Sequence, residues 1–201
     1  RIYDAILELV SHLDGRVDEE SLSRYIAAYQ SVTHLTLGEL WSVAIMLRLT
    51  LIENLRRLSS SISAQQAHRD RALAWARRIS APGEGHENAL LTLSDMVREN
   101  PPLTTAFVAQ FNQALQGCGW TSNFVLAWLE QRLSEQGQTI ESIIRAESQS
   151  QAADQTSMAN SIAGLRFVNA TEWHRFVETH SVAEQILRSE PAGVYARMDF
   201  A

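Results

Sequence analysis

The sequence predicts an all-α protein: a multi-helix bundle of roughly ten helices with no sheet. Its 201 residues read as a single helical domain, or as two packed helical halves. Three observations carry that reading. Apolar residues recur at three- and four-residue steps along nearly the whole chain. Glycines, prolines and Ser/Thr/Asp caps punctuate the segments at helix-length intervals. The strict apolar–polar alternation of a half-buried strand appears nowhere.

Taken in order, Ile2, Ala5, Ile6, Leu9, Val10 and Leu13 share one helical face, and Gly15 ends that helix. Asp18 opens a second, with Leu22, Tyr25, Ile26 and Tyr29 together. Thr36 and Glu39 form a capping box, predicting a helix from there to about Ser59. It is apolar nearly all round, which predicts the central, most buried helix of the bundle. A separate helix follows from Ile62 to Ile79, with Ala67, Leu73, Ala74 and Trp75 inward. Ala81-Pro82-Gly83-Glu84-Gly85 is the strongest break, and a subdomain boundary is expected at 81–86. Asn88 to Arg98 is a short helix stopped by Asn100-Pro101-Pro102, and Leu103 to Leu115 follows it. Gly117-Cys118-Gly119 makes a tight turn, and Thr121 or Ser122 caps the next helix, which Gly137 closes. Thr139 begins a long helix reaching about Val168. A short Trp173–Val177 helix and a last one, opened by a Ser181–Glu184 capping box, complete the chain.

Composition bounds the function. The net charge is −6, which argues against nucleic-acid binding. All 17 basic residues are arginine, as codon bias or selection for bidentate anion contacts would both produce. Cys118 is alone, so no intrachain disulfide and no cysteine metal site are expected. In Leu35–Ile52, the most apolar run, Glu39 and Arg48 interrupt, predicting a core helix rather than a membrane span. The start of the chain is an amphipathic helix, unlike a signal peptide.

Phosphate-loop glycine motifs and the Gly-x-Ser-x-Gly elbow are missing. Among His12, His34, His68, His86, His174 and His180 no pair has the four-residue step that sets two metal ligands on one helix face. The Asp-x-Asp and Gln-x-x-Arg-Trp signatures of processive glycosyltransferases are also missing, so no catalytic, cofactor-binding or metal residue is expected here.

Three features stand out as binding candidates. Arg56, Arg57, Arg69, Arg71, Arg77 and Arg78, opposed only by Asp70, would suit an anion or an anionic membrane surface; a solvated face paired with acids elsewhere would look the same. Gln151, Asp154, Gln155 and Asn160 lie in a polar stretch from Glu147 to Asn160, where a bundle helix usually buries apolar groups. Such side chains hydrogen-bond sugar hydroxyls, or else form an exposed stretch or a satisfied buried network. Trp41, Trp75, Trp120, Trp128 and Trp173 sit on apolar faces or beside turns and are expected in the core.

Several blocks together resemble a segment of bacterial cyclic β-1,2-glucan synthases. They are Tyr29-Gln30; Leu35-Thr36-Leu37-Gly38-Glu39-Leu40-Trp41; Met46-Leu47-Arg48-Leu49; and Leu51-Ile52-Glu53-Asn54-Leu55-Arg56-Arg57-Leu58. Trp128-Leu129-Glu130-Gln131-Arg132-Leu133, Gln151-Ala152-Ala153-Asp154-Gln155, Asn160-Ser161-Ile162 and the end of the chain, Pro191 to Ala201, continue the set. Ser42-Val43-Ala44 departs from it, since a proline is expected near position 44. The resemblance implies a large inner-membrane parent that uses UDP-glucose, with a divalent metal held elsewhere, to make cyclic β-1,2-glucan. It implies that this segment is a non-catalytic scaffold or regulatory domain on the cytoplasmic face, upstream of the membrane-embedded transferase. Its partners would be other domains of the same polypeptide and an anionic membrane surface. A glycan- or nucleotide-binding accessory domain is the alternative, and a glucan-acceptor role for Tyr25, Tyr29 or Tyr195 a third.

Overall fold

Local capping chemistry starts several of the helices in the computed structural model. It describes residues 1–81, 86–116, 120–191 and 195, with the side chains of 86–88 and 120–122 excepted. Nine helices make up the described residues: α1 (Ile2–His12), α2 (Glu19–Gln30), α3 (Leu37–Ile79), α4 (His86–Glu99), α5 (Thr105–Leu115), α6 (Trp120–Ser134), α7 (Ile140–Ala170), α8 (Trp173–His180) and α9 (Val182–Arg188). There is no strand among them, so the all-α expectation holds.

The Asp18 and Thr36 caps act where the sequence places them. Asp18 accepts from the Ser21 backbone N–H at 2.8 Å, which also holds its carboxyl below the usual range. Thr36 and Glu39 close a reciprocal box: the Thr36 N–H donates to Glu39 Oε2 at 2.9 Å, and the Glu39 N–H to Thr36 Oγ1 at 3.3 Å. Thr104 caps α5, leaving Leu103 outside that helix. Ser181 caps α9 through the Glu184 N–H at 3.2 Å, but the expected box is only half made. The buried Glu184 carboxylate turns instead to Arg188 at 2.8 Å and to the Tyr195 hydroxyl at 2.7 Å.

The largest departure is α3. The expected stop at Ser59 is absent, and one helix of 43 residues runs through to Ile79. Ser59-Ser60-Ser61 contains neither glycine nor proline, and serine costs a helix only a few tenths of a kcal/mol. The predicted burial on all sides is also corrected. Leu40, Val43, Leu47 and Leu51 are fully buried, whereas Trp41, Ile45, Leu49 and Ile52 are 40–55% exposed.

Two compact units divide the chain: Arg1–Leu58 with Gln155–Ala201, and Ser59–Asp154. Both divisions fall inside helices, one in α3 and one in α7. The break expected at 81–86 lies largely outside the described residues, as do the Gly117-Cys118-Gly119 turn, the Thr121/Ser122 cap and the closing Asp199-Phe200-Ala201.

Each unit has its own core. In the first, Ile6, Leu22, Ile26, Leu40, Leu47, Leu51, Val168 and Val177 pack together. Its tightest point is at Gly15, in the left-handed region at φ +77°, where an added Cβ would lie 2.5 Å from Ser161 Oγ. Gly164 meets the same turn, since its Cβ would fall 3.0 Å from the Gly15 carbonyl oxygen. Asn160 donates a side-chain hydrogen bond to the Asp14 carbonyl at 3.3 Å. In the second unit, Trp75, Met96, Phe107, Phe111, Leu115, Leu129 and Leu133 form the core, with Phe107 and Phe111 stacked at 5.5 Å.

Candidate functional site

Within the unit Ser59–Asp154, α5 and α7 enclose a polar cleft of about 330 Å³. Helical spacing builds both walls. Ala106, Ala109, Gln110 and Gln113 recur on one side of α5, with Gln116 at its C-terminal end and Asn112 also in the lining. Ile144, Glu147, Ser148 and Gln151 recur on α7, and Arg69 of α3 completes the lining. The two alanines keep the cleft open, because a larger side chain there would fill it.

Glu147 is the charged centre of this cleft and its side chain is only 4% exposed. It accepts from Arg69 Nη2 at 2.7 Å, from Thr105 Oγ1 at 2.7 Å and from Gln151 Nε2 at 2.9 Å. Burial pushes its pKa up, but these three hydrogen bonds and the Arg69 charge outweigh it and hold the carboxyl below its usual range. Asn112 is just 8% exposed and lines the cleft.

The polar stretch of α7 therefore separates into parts. Gln151 joins the cleft and Asp154 takes a 3.4 Å bond from Gln65. Gln155 is exposed and, with Asn160, belongs to the other unit. There Asn54 donates to Ser161 at 2.9 Å and to Ser157 at 3.5 Å, satisfying buried hydroxyls. The cleft's α5 amides were missed in the sequence, though their three-residue step, Gln110, Gln113, Gln116, was a visible signal. The Arg69–Glu147 pair carried no such signal, as 78 residues separate its members.

The arginines differ in their partners. Arg56 is bound to Glu53 and Arg57 to Asn54, both within the first unit. Arg69 is spent on Glu147. Arg78 lies over the Trp75 ring at 4.2 Å and 3.7 Å from Asp95. Arg71 and Arg77 are exposed. Of the tryptophans, Trp75 is in the core, and Trp173 is half-buried with its indole N–H bonded to the Val168 carbonyl at 2.8 Å. Trp128 is half-buried and Trp120's side chain lies outside the described residues. Trp41 corrects the core expectation: it stands at the surface, edge-on to His174. The Tyr25 hydroxyl is engaged by the Ala5 carbonyl at 2.8 Å.

A second surface follows from Trp41. Ile45, Leu49 and Ile52 continue from it at four-, four- and three-residue steps, forming an exposed apolar stripe on α3. Arg48 and Arg56 are exposed on the same side of the helix. No helix of the described residues is long and apolar enough to cross a membrane, and none of their His, Cys, Asp and Glu side chains groups as a metal site.

These features define an all-α domain whose buried charges are engaged in its own packing and whose longest helix offers an apolar face. No family model matches the chain. It is 30% identical over 194 residues to the cyclic β-(1,2)-glucan synthase NdvB of Rhizobium meliloti (strain 1021), across 95% of this chain. The resemblance read from the sequence is therefore shown along nearly the whole chain, which spans 7% of that relative's length.

Proposed function

We propose that this chain is a non-catalytic helical domain of a cyclic β-1,2-glucan synthase polypeptide, which scaffolds or regulates the glucosyltransferase by packing on other domains of the same protein. The observation that carries the reading is the similarity over 95% of this chain to a stretch amounting to 7% of a synthase. A segment so small a part of its relative has other domains to pack on, and the Trp41–Ile45–Leu49–Ile52 stripe is the surface suited to it. The interior agrees with a structural role, since Glu147, Glu184, Asn54 and Ser161 are all engaged in internal hydrogen bonds. On this reading UDP-glucose, its divalent metal and the membrane-embedded module belong to the rest of the polypeptide, and this domain sits on the cytoplasmic face.

The test is retention of the purified chain on a synthase from which the matching segment has been deleted. The unaltered chain should be retained. A folded triple variant, Trp41→Ser with Ile45→Ser and Ile52→Ser, should be retained roughly tenfold less or worse, as expected when an aromatic anchor is lost. No retention of the unaltered chain, or equal retention of both, overturns the proposal.

A further inference from the structure

We propose that the α5–α7 cleft binds a neutral polyhydroxyl ligand, a short stretch of oligosaccharide. Its volume of about 330 Å³ is at the small end of the ~300–1,000 Å³ usual for small-molecule sites. Its lining is rich in carboxamides: Gln110, Asn112, Gln113, Gln116 and Gln151. A carboxamide offers donors and acceptors side by side, the pattern that neighbouring sugar hydroxyls match.

Charge decides between ligand classes. Among the described residues Arg69 is the sole cation of the lining and Glu147 the sole anion, and they neutralise each other at 2.7 Å. An anionic ligand such as a nucleotide phosphate would have to break that pair, which is costly for buried ions. A neutral hydroxyl needs no such break. A carboxylate has about four acceptor positions, and Glu147 has committed three, leaving one for an incoming hydroxyl. Asn112, more than nine-tenths buried, adds a further carboxamide to that lining. Ile144 adds an apolar patch for the C–H face of a sugar ring. Among the described residues the lining holds no aromatic ring, so affinity should be modest, with Kd roughly in the millimolar range.

This goes beyond the scaffolding role and is tested separately, because the cleft and the α3 stripe lie in different units. The purified chain, labelled with ¹⁵N, is titrated with a β-linked glucose disaccharide, with inorganic phosphate in a parallel arm. Saturable shifts of the Asn112, Gln113, Gln116 and Gln151 side-chain amides with the disaccharide, and none with phosphate, are expected. Asn112→Ala should weaken binding about threefold to tenfold, the effect of one lost hydrogen bond. Because Asn112 is buried, Gln113→Ala with Gln116→Ala serves as a surface variant that keeps the core and should also weaken binding. Absence of saturable amide shifts, phosphate binding in place of the sugar, or full affinity in the surface variant overturns the proposal. None of these outcomes alters retention through the α3 stripe, so the two readings fail independently.

Discussion

Glu147 concentrates the energetics of its unit in one side chain. Removing one member of a buried ion pair leaves the other uncompensated, at a typical cost of about 3–5 kcal/mol. Glu147→Ala should approach that loss in urea unfolding of the chain. Arg69→Met combined with Glu147→Leu should lose much less, since neither charge is then stranded; a double variant as unstable as Glu147→Ala would show that the pair itself, not the stranded charge, is what matters. The pH dependence follows from the lowered carboxyl pKa. A carboxylate whose folded pKa lies below its unfolded value stabilises the fold fully above the unfolded value, near 4.5 here, and loses that contribution as pH falls through the folded one. Acid unfolding should therefore set in below about pH 4.5, and Glu147→Gln should flatten that part of the curve. Unchanged acid sensitivity in Glu147→Gln would assign the effect to other carboxylates, such as Asp18 at its cap. Gly15→Ala should be among the most damaging small changes, since its positive φ and the 2.5 Å approach to Ser161 Oγ oppose a Cβ together.

At the scale of one helix, α3 yields a paired prediction. Leu47 is fully buried, so Leu47→Ala should cost about 2–5 kcal/mol. Ile52, five residues on, is 55% exposed, and Ile52→Asn should change stability by less than about 0.5 kcal/mol. Chemical denaturation of the two variants checks both, and comparable losses would mean that the outer face is packed. The contrast shows what sequence reading missed in this element. Leucine and isoleucine at positions 45, 49 and 52 read as core by their chemistry, and periodicity cannot say which of two apolar faces meets a neighbour. The continuity past Ser59 was equally hidden, because three serines are compatible with both a helix and a turn. The start of α3 was legible because the Thr36–Glu39 box acts across three residues.

For the whole molecule, the proposed role predicts that the purified chain releases no UDP from UDP-glucose with Mg²⁺ or Mn²⁺ present; a coupled UDP assay detecting turnover would sink the non-catalytic reading. The arginine stretch illustrates the limit of composition as a guide. Six arginines look alike in sequence, but packing commits Arg69 to Glu147, sets Arg78 over Trp75 and leaves Arg71 and Arg77 exposed. The sequence by itself determined the helical class, the Asp18 and Thr36 caps and the resemblance to a glucan synthase, because periodicity, caps and residue identity are properties of neighbours along the chain. Only the tertiary structure decided which faces are buried, that α3 and α7 are each shared between two compact units, and that Arg69, Thr105 and Gln151 gather around Glu147 at one polar cleft. Those meetings join residues far apart in sequence. They depend on how helices dock, which no local pattern records.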